Sequence, residues 1–297
     1  MDVETVHMIA PAAKILYYQS TFEGTGFADA YQRIRAEGKA SIVTVSVGQC
    51  SDGSETGDTL RVLKAERDAI AKLRSAKITV FASSSDHGLY TCIGGGWSGE
   101  DTDWSAMPDW PAYSPDVVSV GGTFLQHGAG KSYGAEHAWS SSLTNWATGG
   151  GISPNDDQPS WQAGIGVHNA SSNGKRQYPD VAAPGDPQSG WTIVVHGQDD
   201  RSSGTSAAAP FWAGNAALVR QAAQNAHVGT FPFLAPVLYA VANAARPNTV
   251  FHDVVGGSDL RDAATLGWDY ATGLGSPIGT PLADAIVAYL KAHPTSS

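Results

Sequence analysis

The sequence predicts an α/β fold, a doubly wound, mostly parallel sheet with flanking helices. Three observations lead there. Short apolar runs alternate with amphipathic helical stretches in the order strand, helix, strand, helix, strand. The strand runs are near-continuously apolar, as strands covered on both faces are. The chain has 297 residues, enough for one large α/β domain.

Taken in order, Asp2 to Ile9 has helical character and stops at Pro11. Lys14 to Tyr18 reads as a short apolar strand. Gly26 to Glu37 is an amphipathic helix, with Phe27, Tyr31 and Ile34 on one face and Gly38 at its end. Ser41 to Val47 is the next strand. Asp58 to Ser75 is a longer helix with Leu60, Leu63, Ile70 and Leu73 inward. Lys77 to Ala82 and Asp116 to Val120 are further strands, the latter ending at Gly121-Gly122. From about Gly94 to Gln198 the chain is rich in loops, tryptophan and glycine clusters, and loops of that length on an α/β scaffold build binding surfaces. Trp191 to Val195 is extended, and helices around Leu234 to Ala244 and Leu282 to Ala292 close the chain. No repeat or linker interrupts it, so residues 1–297 are expected to form a single domain.

Charged residues are only 15% of the chain and the net charge is −10. A sparse, acidic set argues against nucleic acid and anionic membrane as partners and suits work outside the cell or in acid. No apolar run approaches the ~18 residues of a membrane span. The chain opens on Met1-Asp2-Val3-Glu4, which reads as mid-helix, so the targeting segment of a secreted protein would lie upstream. Cys50 and Cys92 both follow strand-like runs. A disulfide between those loops is expected, with two buried thiols as the alternative. Asn169-Ala170-Ser171 matches a glycosylation sequon.

The stretch Ser203-Gly204-Thr205-Ser206-Ala207-Ala208-Ala209-Pro210 carries the chemistry. It leads into Phe211 to Val219, which reads as a buried helix. Gly204 permits a tight turn, and Pro210 fits a first helical turn. Ser206 would then stand at a helix N-terminus, where unpaired N–H groups favour developing negative charge. It is either a nucleophile or a helix cap. Ligands of an open parallel sheet sit beyond the C-terminal strand ends. Asp86, in Ser83-Ser84-Ser85-Asp86-His87-Gly88, lies at such an end, and so do Ser46 and Gly48. Asp86 is either a loop brace or a protonated acid that donates to a substrate oxygen. No histidine sits in a recognisable His-Gly-Thr helix start, so the sequence offers serine with carboxylates more convincingly than serine with histidine. An esterase using Ser206 is disfavoured, because there is no Gly-x-Ser-x-Gly elbow.

Several stretches, in order, resemble the sedolisins, the serine-carboxyl peptidases with a subtilisin-like fold. Gly204 to Pro210 resembles the nucleophile motif and Ser84 to Gly88 the oxyanion-aspartate loop. Asp2-Val3-Glu4 with Ala10 to Lys14 resembles the helix of the catalytic aspartate. Trp110 to Pro115 with Ser119 to Thr123, Gly149 to Ser153 with Pro159 to Gln162, and Tyr178 to Val181 match further segments. Phe251 to Val254 and Gly267 to Pro277 resemble the calcium site.

The resemblance implies a Ser-Glu-Asp triad acting on peptides or proteins in acid, in a secreted, extracellular, monomeric enzyme. Ser206 would be the nucleophile, Asp2 the group tuning the glutamate, and Asp86 the oxyanion acid. Ser46, Gly48, Gly149 and Gly150 would wall the bound peptide. Ca²⁺ would be held by the carboxylates of Asp253 and Asp269 and the carbonyls of Val254, Thr265 and Gly267. Two departures stand out. The family's glutamate lies about one helical turn before its aspartate, which here falls ahead of residue 1, so this chain is expected to lack the family's N-terminal part. Glu4 points roughly 200° round the helix from Asp2 and does not replace it. And Ser85 and His87 stand where glycine and serine are usual, so His87 either pairs with Asp86 or points outward. An inactive, peptide-binding sedolisin-like domain is the alternative reading.

Overall fold

The computed structural model describes residues 1–90, 108–141 and 143–294. Helices α1 (Asp2–Ile9), α2 (Gly26–Glu37) and α3 (Gly57–Ser75) are followed late in the chain by α4 (Thr205–Asn225), α5 (Ala235–Ala244) and α6 (Gly279–Ala292). The strands of the first half are β1 (Ile42–Val45), β2 (Gln49–Cys50), β3 (Thr79–Ser83), β4 (Asp109–Trp110), β5 (Val118–His127) and β6 (Tyr133–Ala138). Then come β7 (Ser140–Ser141), β8 (Trp146–Ala147), β9 (Gly151–Asp157), β10 (Lys175–Tyr178) and β11 (Val181–Pro184). A hairpin of β12 (Trp191–Val195) and β13 (Gln198–Ser202) precedes α4, and β14 (Phe251–His252) pairs with β15 (Ser276–Pro277).

The central sheet runs β1-β3-β5-β11, all parallel, as the apolar strand runs predict. Every residue of β3 and β11 is buried, because helices cover both faces. On one face α2 and α3 pack Tyr31, Ile34, Leu63, Ile70 and Leu73 against Val80 and Ala82. On the other, α4, α5 and α6 pack Ala208, Ala209, Trp212, Leu238 and Ile286 against Phe81, Val118 and Val120. The inward stripe of α3 falls at Leu63, Glu66, Ile70 and Leu73, the three-and-four spacing of a core-facing helix. Ile70 is fully buried, so Ile70→Ala removes about 2–5 kcal/mol. Glu66 is a carboxylate in that otherwise apolar stripe.

Three expectations are corrected. Lys14 to Tyr18 forms no strand; it has no ladder partner, and Tyr17 is 79% exposed. The strand expected at Asp116 to Val120 continues to His127, because its second half pairs antiparallel with β6. Pro210 is not in the first turn of α4 but at its sixth residue. Cys50 is disulfide-bonded, while Cys92 lies outside the described residues, as do Gly94 to Gly96, Trp97 and Trp104. Asn169 is engaged locally, its amide donating to Gly166, Val167 and Gln177 and accepting from Ser171 and Tyr270.

Behind the sheet lies a buried ion pair. Arg176 donates to both carboxylate oxygens of Asp180, at 2.8 and 2.6 Å, and both side chains are fully buried. Asp180 also accepts from the Ser119 N–H and the Tyr239 hydroxyl.

Candidate active site

The C-terminal ends of β1 and β3 open beside the start of α4, and the predicted residues gather there. Gly204 precedes the helix with φ +86, a left-handed conformation that a side chain resists. An added Cβ would also meet Asp86 Oδ2 at 2.4 Å. That turn delivers Ser206 as the second residue of α4, where its N–H has no intrahelical acceptor. Ser206 Oγ donates to the Ser46 carbonyl at a long 3.4 Å.

Pro210 shapes this corner. It has no N–H, so it cannot make the i→i−4 bond to the carbonyl of Ser206. The freed carbonyl instead accepts from Ser46 Oγ at 2.9 Å. The same hydroxyl lies 2.9 Å from Asp2 Oδ2. A hydroxyl has one proton to give. Both contacts are hydrogen bonds together only when Asp2 is protonated and donates to Ser46. Burial pushes the Asp2 carboxyl above its usual value, and the Ser46 bond only partly offsets this. Glu4 turns away, as the 200° estimate requires, and accepts from the Val194 N–H of the hairpin.

Asp86 reaches the helix start from the loop after β3. Its Oδ1 accepts from the N–H and the hydroxyl of Thr205, at 2.7 and 2.9 Å. Oδ2 is left over Gly204, free of those two bonds. Burial raises this carboxyl, and the Thr205 bonds and then the His87 charge oppose that less strongly. Ser85 has φ +95, which explains why glycine suits this position. His87 sets its ring edge-on to Trp146 at 6.0 Å, and its effect on Asp86 is the smallest of the four. Other histidines are held in ring stacks elsewhere, His252 on Tyr133 at 3.7 Å and His137 on Phe124. Among the described residues none hydrogen-bonds to Ser206.

Sequence reasoning missed Asp109. It stands at the start of β4, fully buried, with its carboxyl against Gly48; a Cβ added there would meet Asp109 Oδ2 at 2.2 Å. Burial first, then the neighbouring charge of Asp86, holds it well above the usual range. Two like charges so placed favour the protonated form of one or both. The signal available was its position beside Trp110-Pro111, in a segment that faces the oxyanion loop. Gly48 is exposed, and Ser46 half-buried. Gly149 and Gly150 are buried, backbone to backbone with Ser84 and Tyr270.

The metal candidates also cluster. Asp253 accepts from the Gly267 N–H at 3.1 Å, and Asp269 Oδ2 accepts from the Thr265 N–H at 3.0 Å. Asp269 Oδ1 takes the N–H groups of Ala271 and Thr272. Burial raises Asp253, and raises Asp269 to about 7.

The sequence pattern of the subtilase family matches residues 2–275. The chain belongs to the subtilase family. Within it, this subtilase is 34% identical to kumamolisin from Bacillus sp. (strain MN-32), over 97% of the chain and 50% of kumamolisin. It is 32% identical to sedolisin from Pseudomonas sp. (strain 101), over 89% of the chain and 44% of sedolisin. The chain thus spans about half the length of the curated relatives it matches. A solved Pseudomonas sedolisin, described as a serine-carboxyl proteinase complexed with two molecules of pseudo-iodotyrostatin, superposes with a TM-score of 0.82 at 28% identity. The match covers 99% of this chain and 78% of that one. A lanthipeptide protease at 16% identity and TM-score 0.59 shares the fold. The expected resemblance to sedolisins and the subtilisin-like fold are both shown. Among the described residues no helix is long and apolar enough to cross a membrane.

Proposed function

We propose that this subtilase carries the catalytic centre of an acid-acting serine-carboxyl peptidase, a monomer that hydrolyses peptides or proteins outside the cell. The observation that carries the reading is the company Ser206 keeps: two half-buried carboxyls held above their usual values, Asp2 through Ser46 and Asp86 through Thr205. Ser206 Oγ attacks the scissile carbonyl carbon. Its proton passes to a glutamate expected four residues ahead of Asp2, on the same helix face, with Asp2 tuning that group. The oxyanion is met by the Ser206 N–H and by the proton on Asp86 Oδ2. The glutamic acid then protonates the departing amine, and water releases the acyl group from Ser206 by the same steps in reverse order. Ser46, Gly48, Gly149 and Gly150 wall the peptide. The network needs some members protonated, which sets an acidic optimum, about pH 3–5 from ordinary carboxyl values.

A second reading, peptide binding without hydrolysis, is favoured by one observation. Ser206 Oγ donates to a backbone carbonyl, which is no base. The deciding experiment assays the protein carrying that glutamate on a broad peptide library from pH 2 to 8. Hydrolysis in acid that vanishes with Ser206→Ala supports the peptidase. Binding with no hydrolysis at any pH supports the second reading.

A calcium ion held by Asp253, Asp269 and the carbonyls of Val254, Thr265 and Gly267 belongs to the proposal. Its support is chemical: the buried Asp269 and the half-buried Asp253 accept from one short loop, and among the described residues neither is paired with a cationic side chain. The ion would supply fixed positive charge that pins the loop between α5 and α6. EDTA should lower the melting temperature and added calcium restore it; an unmoved transition would overturn the assignment.

A further inference from the structure

Glu66 faces a pocket that the catalytic machinery does not use. The pocket is a small, open one, lined by Phe22, Phe27, Gly48, Val62, Glu66 and Trp110 among others. Glu66 is only 6% exposed, yet among the described residues no lysine, arginine or histidine pairs with it. Its neighbour Arg67 is taken by Asp156, at 2.5 Å, and lies over the Trp110 ring at 4.7 Å. The Trp110 indole N–H lies beside Glu66 short of full hydrogen-bond geometry, and the buried Tyr31 hydroxyl behind the pocket wall has no partner. Tyr31 is close enough to feel the negative charge of Glu66. Burial pushes the Glu66 carboxyl up to about 7, against a smaller effect of the nearby Trp110 indole.

An unpaired buried carboxylate is costly, and a cation brought to it relieves that cost. The aromatic walls suit an alkyl stem and a cation at its end. Gly48 lines this pocket and belongs to the proposed peptide wall, two residues from Ser46, which touches the Ser206 carbonyl. An extended peptide advances about 3.3 Å per residue, so a side chain two or three residues from the scissile bond reaches the pocket mouth.

We propose that this pocket is a specificity subsite for the side chain of a lysine or arginine of the peptide, with the Glu66 carboxylate accepting from its ammonium or guanidinium. The inference rests on the peptide-cleft reading; Glu66 is neutral in the empty pocket in acid, and the incoming cation favours its ionised form. The chain's net charge of −10 draws cationic peptides in the same direction.

The test titrates acetylated hexapeptide amides, with lysine or norleucine placed in turn at each position, into the ¹⁵N-labelled chain at pH 7.5. Kd and the Trp110 indole resonance are read together. At one position lysine should bind about 10-fold tighter than norleucine, the worth of roughly one charge-assisted hydrogen bond. The Trp110 indole signal should move with it, and Glu66→Gln should abolish the preference while norleucine peptides bind as before. Equal affinity at every position, or a lysine preference that survives Glu66→Gln, overturns the subsite and leaves the cleft intact. That result would assign the pocket to water. If no peptide binds at all, the cleft reading fails with it.

Discussion

Two carboxylate sites in this fold are built in opposite ways. Asp180 is gripped by both nitrogens of Arg176, by a backbone N–H and by the Tyr239 hydroxyl. Its charge is neutralised and its oxygens are occupied, so it braces β11 against the strands around it. Asp2 and Asp86 are half-buried, and their hydrogen-bond partners are neutral, a serine and a threonine. Burial then raises both, and a raised carboxyl holds a proton that it can give. The contrast separates a structural acid from a chemical one: a cationic partner offsets burial, and a neutral partner leaves burial to raise the carboxyl.

The sharpest way to break that contrast is to mutate both sides. Asp86→Ala should lower kcat/KM of the active protein by about 100- to 1000-fold, the worth of one oxyanion donor, with little change in melting temperature. Asp180→Asn should do the reverse, removing about 3–5 kcal/mol of stability because Arg176 is left buried and unpaired. Activity assays and urea unfolding on the same two variants check this. Equal effects of both variants on both readouts would erase the distinction.

The unpaired acids also set the pH dependence of folding. Glu66 is raised from 4.5 to about 7 and Asp259 from 3.8 to about 6. A raised folded-state value means that the native state binds more protons in that window. Stability is therefore fully present below about pH 4 and falls as pH rises to about 7. At about 1.4 kcal/mol per pKa unit, Glu66 accounts for a loss on the order of 3 kcal/mol. Melting curves from pH 4 to 7.5 should show the decline, and Glu66→Gln should flatten it.

A smaller effect concerns Pro210. Ser46→Ala leaves the Ser206 carbonyl without its donor and should cost about 1–3 kcal/mol. In the Pro210→Ala background a helical N–H becomes available to that carbonyl, and the same change should cost less. A double-mutant cycle reads the difference, and additivity would show that Ser46 does not serve that carbonyl. Smallest of all is His87→Ser, which should move the acid limb of the pH–rate profile only slightly, since His87 packs on Trp146 and acts weakly on Asp86.

The sheet and its helices were legible because their signals are local. The spacing of Tyr31, Ile34, Leu63, Ile70 and Leu73 and the apolar runs before Ser46 and Asp86 place each element within a residue or two. The serine-carboxyl corner was legible through motif order. What escaped depends on contacts across the chain. Asp109 meets Gly48 from 61 positions away in sequence. The long β5 depends on β6, and Lys14 to Tyr18 is apolar enough for a strand but finds no ladder. Glu66 follows a helical period perfectly well; only the surrounding pocket reveals that its partner is missing.

The central claim is that Asp86 is protonated at the pH where Ser206 would act. It is tested most directly by following the Asp86 carboxyl carbon by ¹³C NMR through an acid titration, with Asp86→Asn for assignment. The account predicts a midpoint clearly above the ordinary value of 3.8. A midpoint at or below 3.8 would mean an ionised Asp86, which cannot donate to an oxyanion, and would contradict it.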